Sequence, residues 1–209
     1  LKNSRLAILK KLLEGKVEIL ILSEEAFLEK YLPREDFLRH FFKLRTGDEI
    51  ERGELVERLV RLGYQKEPVL EHKGQFTVRG DIVDIFPSTE EHPLRLDFFG
   101  DFLEKIKVFD LDEQKTIREI EQAGFYPTSD IPEPGGLAEI ALSLSPDASP
   151  KLQEELALMA EGIYQEEHER FFPAFSKDLK DIRAYCQKRP LLVYSSFSDL
   201  KIRSEMYYN

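Results

Sequence analysis

The chain has 209 residues, with 42% hydrophobic, 11% aromatic and 33% charged residues, and a net charge of −10. That composition excludes a disordered chain, a collagen-like repeat and a bundle of membrane spans, and the length allows one or two compact units. A binder of bare nucleic acid gains most of its affinity from phosphate neutralisation and is usually basic, so 40 acids against 30 bases weigh against DNA or RNA as the main ligand.

In chain order, Leu6, Leu9, Leu12 and Leu13 fall at helical spacing, with Ser4 as N-cap and Gly15 just past the end. Val17 to Leu22 is a short apolar stretch broken only by Glu18, which predicts a buried strand. Ser23 predicts the cap of a second helix reaching Tyr31, and Phe37 to Leu44 alternates loosely like a strand. Thr46-Gly47-Asp48 is a turn signal, and Leu55, Leu59, Val60 and Leu62 predict an amphipathic helix closed by Gly63. After Tyr64 the apolar period changes from about 3.6 to 2. Phe76 and Val78, then Ile82, Ile85 and Phe86, then Leu94, Leu96 and Phe98, then Ile106 and Val108 read as successive strands of an antiparallel meander. Gly74, Gly80 and Gly100-Asp101 punctuate them. Pro127, Pro132, Pro134, Pro146 and Pro150 mark a connector. Beyond it, Leu152, Leu156, Met159 and Ile163 predict a helix, residues about 177–187 another, Leu191 to Tyr194 a strand that could lie beside Val17 to Leu22, and Phe197 to Ile202 a last helix.

The expected fold class is therefore α+β. It has a partial α/β element at 1–45, a central antiparallel β-rich domain with one packed helix at 46–125, a Pro-rich connector at 126–150, and a helical segment with one returning strand at 151–209.

Motifs for chemistry are sparse. A phosphate-binding loop needs Gly, four residues, then Gly-Lys-Ser/Thr, and Gly15-Lys16 is followed by Val17 with no glycine at the earlier position. His40, His72, His92 and His168 show no metal-ligand spacing, and Cys186 adds no second thiolate. No catalytic and no metal-ligating residues are expected. One cysteine and the absence of an uninterrupted apolar segment at the start predict a reducing, cytoplasmic setting without a membrane anchor. The acidic run from Glu154 to Glu169 reads as a solvated helix face.

The informative polar residues lie in the β-rich part. On regular strands Thr77 and Arg79 share one face, as do Arg95 and Asp97, opposite Phe76, Val78, Leu94, Leu96 and Phe98. Arginines with a carboxylate and neighbouring aromatics fit the centre of a protein interface, or ordinary cross-strand ion pairing on a wet face. A bulge after Asp97 would turn Phe98 outward. As surface residues, both arginines are expected to be replaceable with little loss of stability.

The same strands carry a family resemblance. Gly74 to Asp110 reads GQFTVRGDIVDIFPSTEEHPLRLDFFGDFLEKIKVFD. It resembles the module shared by the excision-repair protein UvrB and the transcription-repair coupling factors (Mfd): an aromatic-x-x-Arg-Gly strand, a hydrophobic Asp-Ile-Phe-Pro strand, an Arg-x-acid-Phe/Leu-Phe strand and one ending near Phe-Asp. Thr77 and the turn Asp112-Glu113-Gln114-Lys115-Thr116 resemble the coupling factors. The resemblance covers about residues 1–130 well and 151–209 loosely. It implies a non-catalytic module that binds UvrA through Lys66, Thr77, Arg79, Arg95, Asp97 and Phe98, where Lys66 and Thr77 stand in place of arginines of UvrB. It further implies that nucleotide excision repair is recruited to stalled RNA polymerase. RNA polymerase and DNA would be reached through a full-length, ATP-dependent translocase whose ATP sites lie outside this chain. Little or no direct DNA binding is expected. The alternative is a UvrB-like, DNA-engaging fragment of a helicase.

Overall fold

The computed structural model describes residues 2–39, 41–128, 149–160, 179–194, 198, 200–202 and 204. Two compact units emerge: Leu1–Lys11 with Phe37–Ser129, and Leu12–Asp36 with Asp130–Asn209. The fold is α+β, built on a mixed six-stranded sheet, a two-stranded sheet and a few helices.

The first unit holds the sheets. Its strands are β1 (Phe42–Arg45), β2 (Gln65–Lys66), β3 (Gln75–Arg79), β4 (Ile82–Phe86), β5 (Leu94–Phe99), β6 (Phe102–Phe109), β7 (Thr116–Ile120) and β8 (Gln122–Phe125). The large sheet runs β2-β3-β4-β5-β6-β7, antiparallel throughout except for the parallel β2–β3 pair. β1 and β8 form a separate antiparallel pair, with Phe42 and Phe125 stacked at 5.0 Å. Thus Phe37 does not open a strand, as its alternation predicts; it ends a four-residue helix, Arg34–Phe37, and β1 begins only at Phe42.

Two hairpins set the register. Both β3–β4 and β5–β6 turn through a two-residue Gly-Asp loop, Gly80-Asp81 and Gly100-Asp101, with the glycines at φ +60° and +61°. A side chain there would be strained, and such loops match the right-handed twist of the flanking strands. The alternation then puts Phe76, Val83, Ile85, Leu94, Leu96, Leu103, Ile106 and Val108 on one face. The amphipathic helix Arg52–Arg61 buries Leu55 and Leu59 against them, so one face of the sheet becomes the core and the other is left polar. Gly63, at φ +84°, closes that helix as predicted.

Of the second unit, Glu24–Leu28 is helical with Ser23 accepting the Ala26 N–H, and Pro150–Ala160 is helical with Ser149 accepting the Leu152 N–H. Tyr31 and Lys180 exchange backbone bonds of 2.8 Å in both directions. Among the described residues of the helix predicted over about 177–187, the helical part is a 3-10 turn, Ile182–Tyr185, because the Asp181 side chain captures the Arg183 N–H and opens the segment as a turn. Tyr185 anchors it by donating to the Leu32 carbonyl at 3.0 Å. The predicted strands Val17 to Leu22 and Leu191 to Tyr194 are not strands. Both are irregular, and Ile19, Ile21, Leu191 and Val193 are 83–90% exposed. Apolar β-branched composition favours a strand only where a neighbouring backbone completes the ladder, and among the described residues none does. Residues 129–148 of the connector and most of the acidic run lie outside the described residues.

One core residue is out of balance. Tyr64 is 3% exposed, and its hydroxyl meets Ser88 without completing a hydrogen bond of full geometry. Burial pushes the phenol well above its ordinary range, partly offset by Ser88. A group whose folded pKa is raised contributes stability below its unfolded value, about 10 for tyrosine, and loses it as pH rises further. Tyr64→Phe is therefore expected to gain about 1 kcal/mol at pH 7 by removing an unsatisfied hydroxyl. It should also flatten the alkaline decline in stability above pH ~10, where one differential proton is worth about 1.4 kcal/mol per pH unit. Urea unfolding of both proteins at pH 7 and 10.5 checks both expectations.

Candidate partner-binding face

The polar face of the sheet is organised by cross-strand register. Thr77 pairs with Asp84, Asp84 with Arg95, Arg95 with Lys107 and Lys107 with Glu119, a line running across β3, β4, β5, β6 and β7. At its centre Asp84 is 1% exposed. Arg95 grips this carboxylate along one edge, Nε to Oδ1 at 2.7 Å and Nη2 to Oδ2 at 2.9 Å. Arg79 Nη2 reaches Oδ2 at 2.6 Å from the other side. A buried charge demands such partners, and bonds between charged groups are the strong ones. The Asp84 hydrogen bond raises the Arg95 pKa above its ordinary value, against the opposing effect of burial.

The two arginines differ in freedom. Arg95 also donates from Nη2 to Gln114 Oε1 at 3.1 Å, and its guanidinium lies over the Phe109 ring at 4.6 Å. Its side chain is 21% exposed, and Nη1 is the edge left without a bond among the described residues. Arg79 is 58% exposed and spends one nitrogen on Asp84. Asp97, one turn of the pleat from Arg95, is ion-paired with Lys107. Lys105 and Glu119 pair at 3.4 Å farther out.

The sequence-predicted residues are therefore only partly brought together. Arg79, Arg95 and Asp97 lie on the polar face as expected. Thr77 faces the same way but is 3% exposed, its hydroxyl 3.5 Å from the Pro68 carbonyl, so it is covered. Lys66 is exposed on the edge strand β2, opposite Phe76 in the register, and no hydrogen bond joins it to the others. The bulge after Asp97 exists, yet Phe98 stays in the core at 5% exposure, opposite Leu103. The extra residue is Glu104 on β6, so the alternation along β5 is intact and turns out the next residue: Phe99 is 76% exposed and pairs with half-exposed Phe102 at the hairpin tip.

Sequence reasoning missed Asp84, Gln114 and Phe99. The two-residue Gly80-Asp81 loop is the signal for Asp84, because it forces Thr77 opposite Asp84. Among the described residues, no group of three or more His, Cys, Asp or Glu could hold a metal ion, and no helix is long and apolar enough to cross a membrane.

Residues 42–130 match the family model of the UvrB interaction domain. The chain is 34% identical over 166 residues to a transcription-repair-coupling factor of Myxococcus xanthus, covering 76% of this chain and 14% of that protein. It is 29% identical over 215 residues to the transcription-repair-coupling factor of Escherichia coli (strain K12), covering 98% of this chain and 18% of that protein. It is 32% identical over 142 residues to UvrABC system protein B of Chlorobaculum tepidum, covering 68% of this chain and 21% of that protein. The chain thus spans a minor part of each of these relatives.

The geometry changes what is expected of the arginines. Arg95→Ala leaves a buried carboxylate with one exposed partner, and is expected to destabilise by about 3 kcal/mol. Arg79→Ala removes a half-exposed partner and should stay within about 1 kcal/mol. Denaturant titration of the two variants tests the asymmetry; equal midpoints would mean that Asp84 does not depend on Arg95.

Proposed function

With residues 42–130 forming a UvrB interaction domain, we propose that the polar face of its sheet docks UvrA. The docking would recruit nucleotide excision repair to stalled RNA polymerase. The observation that carries this reading is the pair of arginines on one face of the sheet. The Arg79 guanidinium is exposed with donors to spare, and Arg95 keeps the Nη1 edge open beside it. Planar forks of this kind suit carboxylates or backbone carbonyls on a partner, in a way that lysine does not. Phe99 and Phe102 add aromatic surface at the end of the same strands, the composition of an interface centre. Asp97 serves as the acid that orients Lys107 at the rim.

The chain acts as a binding module. A full-length coupling factor would engage RNA polymerase, DNA and ATP through other segments, and direct DNA binding by this chain would be weak. The charge of −10 opposes phosphate contact, and local cations such as Lys107 and Lys105 are paired with acids.

A titration of UvrA with the wild-type chain, Arg79→Ala and Phe99→Ala tests the reading. Arg79→Ala is expected to weaken binding at least tenfold, about 1.4 kcal/mol, since desolvated interfacial charge pairs typically lose ~2–5 kcal/mol on truncation. Phe99→Ala should weaken it comparably, without loss of the fold, because its ring is 76% exposed. Wild-type affinity in both variants would reject this face as the docking site. Duplex DNA retained at physiological salt would favour a DNA-engaging role instead.

A further inference from the structure

Gln114 stands in a backbone conformation that glutamine avoids. Its φ is +55°, and it is the only non-glycine residue among those described with a positive φ. A left-handed residue other than Gly, Asn or Asp costs energy that the surrounding structure must impose, and such outliers cluster where geometry matters. The imposing structure is the turn between β6 and β7. Asp110 accepts the N–H groups of Asp112 and Glu113 at 3.0 and 2.8 Å, and its own N–H donates to the Lys115 carbonyl at 2.9 Å. The strained backbone sends the Gln114 amide back over the sheet. There Nε2 donates to the Leu111 carbonyl at 2.7 Å, which leaves Oε1 facing Arg95 Nη2 at 3.1 Å.

We propose that Gln114 is a positioning residue of the docking face, which locks the Arg95 guanidinium so that its Nη1 edge is presented to the partner in a fixed direction. The inference rests on the UvrA-docking reading and adds to it how the recognition arginine is held. Three contacts fix the group. Asp84 holds the Nε–Nη2 edge, Phe109 lies beneath the plane, and Gln114 occupies the remaining donor of Nη2. Without Gln114, that nitrogen keeps one fixed partner, and the plane can tilt about its bond to Asp84. A donor fixed before encounter loses less freedom on binding than one ordered by the partner. Gln114 itself is exposed and belongs to no hydrophobic core, so its effect on Arg95 is separable from an effect on folding.

Gln114→Gly separates them. Glycine accepts positive φ, so the melting midpoint of the full chain should equal or exceed wild type, while UvrA affinity falls about fivefold, the loss of roughly 1 kcal/mol of preorganisation. Gln114→Glu keeps an oxygen acceptor toward Arg95 but loses the Nε2 donor to the Leu111 carbonyl, so its affinity should lie between wild type and Gln114→Gly. A second readout needs no partner: the Arg95 Nε–H signal in NMR should show slow rotation about the Nε–Cζ bond in wild type and Gln114→Glu, and faster rotation in Gln114→Gly. Unchanged Arg95 rotation in Gln114→Gly would overturn the inference, as would an affinity loss that merely tracks a fall in melting midpoint. If the wild-type chain fails to bind UvrA, the docking reading falls, and the NMR arm still decides whether Gln114 positions Arg95.

Discussion

A carboxylate sealed inside a sheet face is the constraint on which the candidate surface depends. Asp84 is 1% exposed, so its charge has to be answered by donors from the protein itself. Two strands answer it, Arg79 from β3 and Arg95 from β5, and β4 is thereby tied to both neighbours by side chains as well as by the ladder. Register and charge reinforce each other. A slip of one residue in β4 would send Asp84 into the core with Leu55 and Leu96, and would bring Val83 up among the arginines. The arrangement also explains why the polar face is not simply wet. It is a packed layer with Phe86, Phe109 and Leu70 clustered beside the ion pairs.

The sequence made the meander legible because its signals are local and agree with one another. Alternation assigned Phe76, Leu94, Leu96 and Ile106 to one face, and the Gly-Asp loops ended the strands where the structure ends them. The helix over Leu55 to Leu62 was equally clear, because its apolar stripe faces that same sheet. Legibility failed where a residue depends on something distant. Val17 to Leu22 has strand composition, but composition cannot supply the neighbouring backbone, and Ile19 and Ile21 stay exposed. Asp181 turned the described part of an expected helix into a 3-10 turn through a single side-chain bond.

The docking face shows the same limit on a finer scale. Arg79, Arg95 and Asp97 were readable from two-residue spacing along their strands. Phe99 follows the same alternation, outward after inward Phe98, because the extra residue of the bulge, Glu104, lies on β6. Asp84 was hidden. Its neighbours Val83 and Ile85 mark it only as part of a strand, and only the pairing imposed by Gly80-Asp81 reveals that it stands between two arginines.

Selectivity of such a face follows from which charges are already spent. Lys107 is neutralised by Asp97 and Lys105 by Glu119, and Arg52 is held by Asp81 at the end of the first hairpin. A passing polyanion therefore meets a surface whose cations are mostly occupied, and gains little because it would have to displace acids already paired with them. What remains are the free donors of Arg79 and the Nη1 edge of Arg95. These are directional groups a fixed distance apart on a rigid sheet, so a partner must offer acceptors in matching positions rather than charge alone. An acidic chain can in this way carry an arginine-centred recognition surface without becoming a general binder of phosphate. The buried Asp84 keeps that surface in place whether or not a partner is bound, because its need for counter-charge does not depend on the partner.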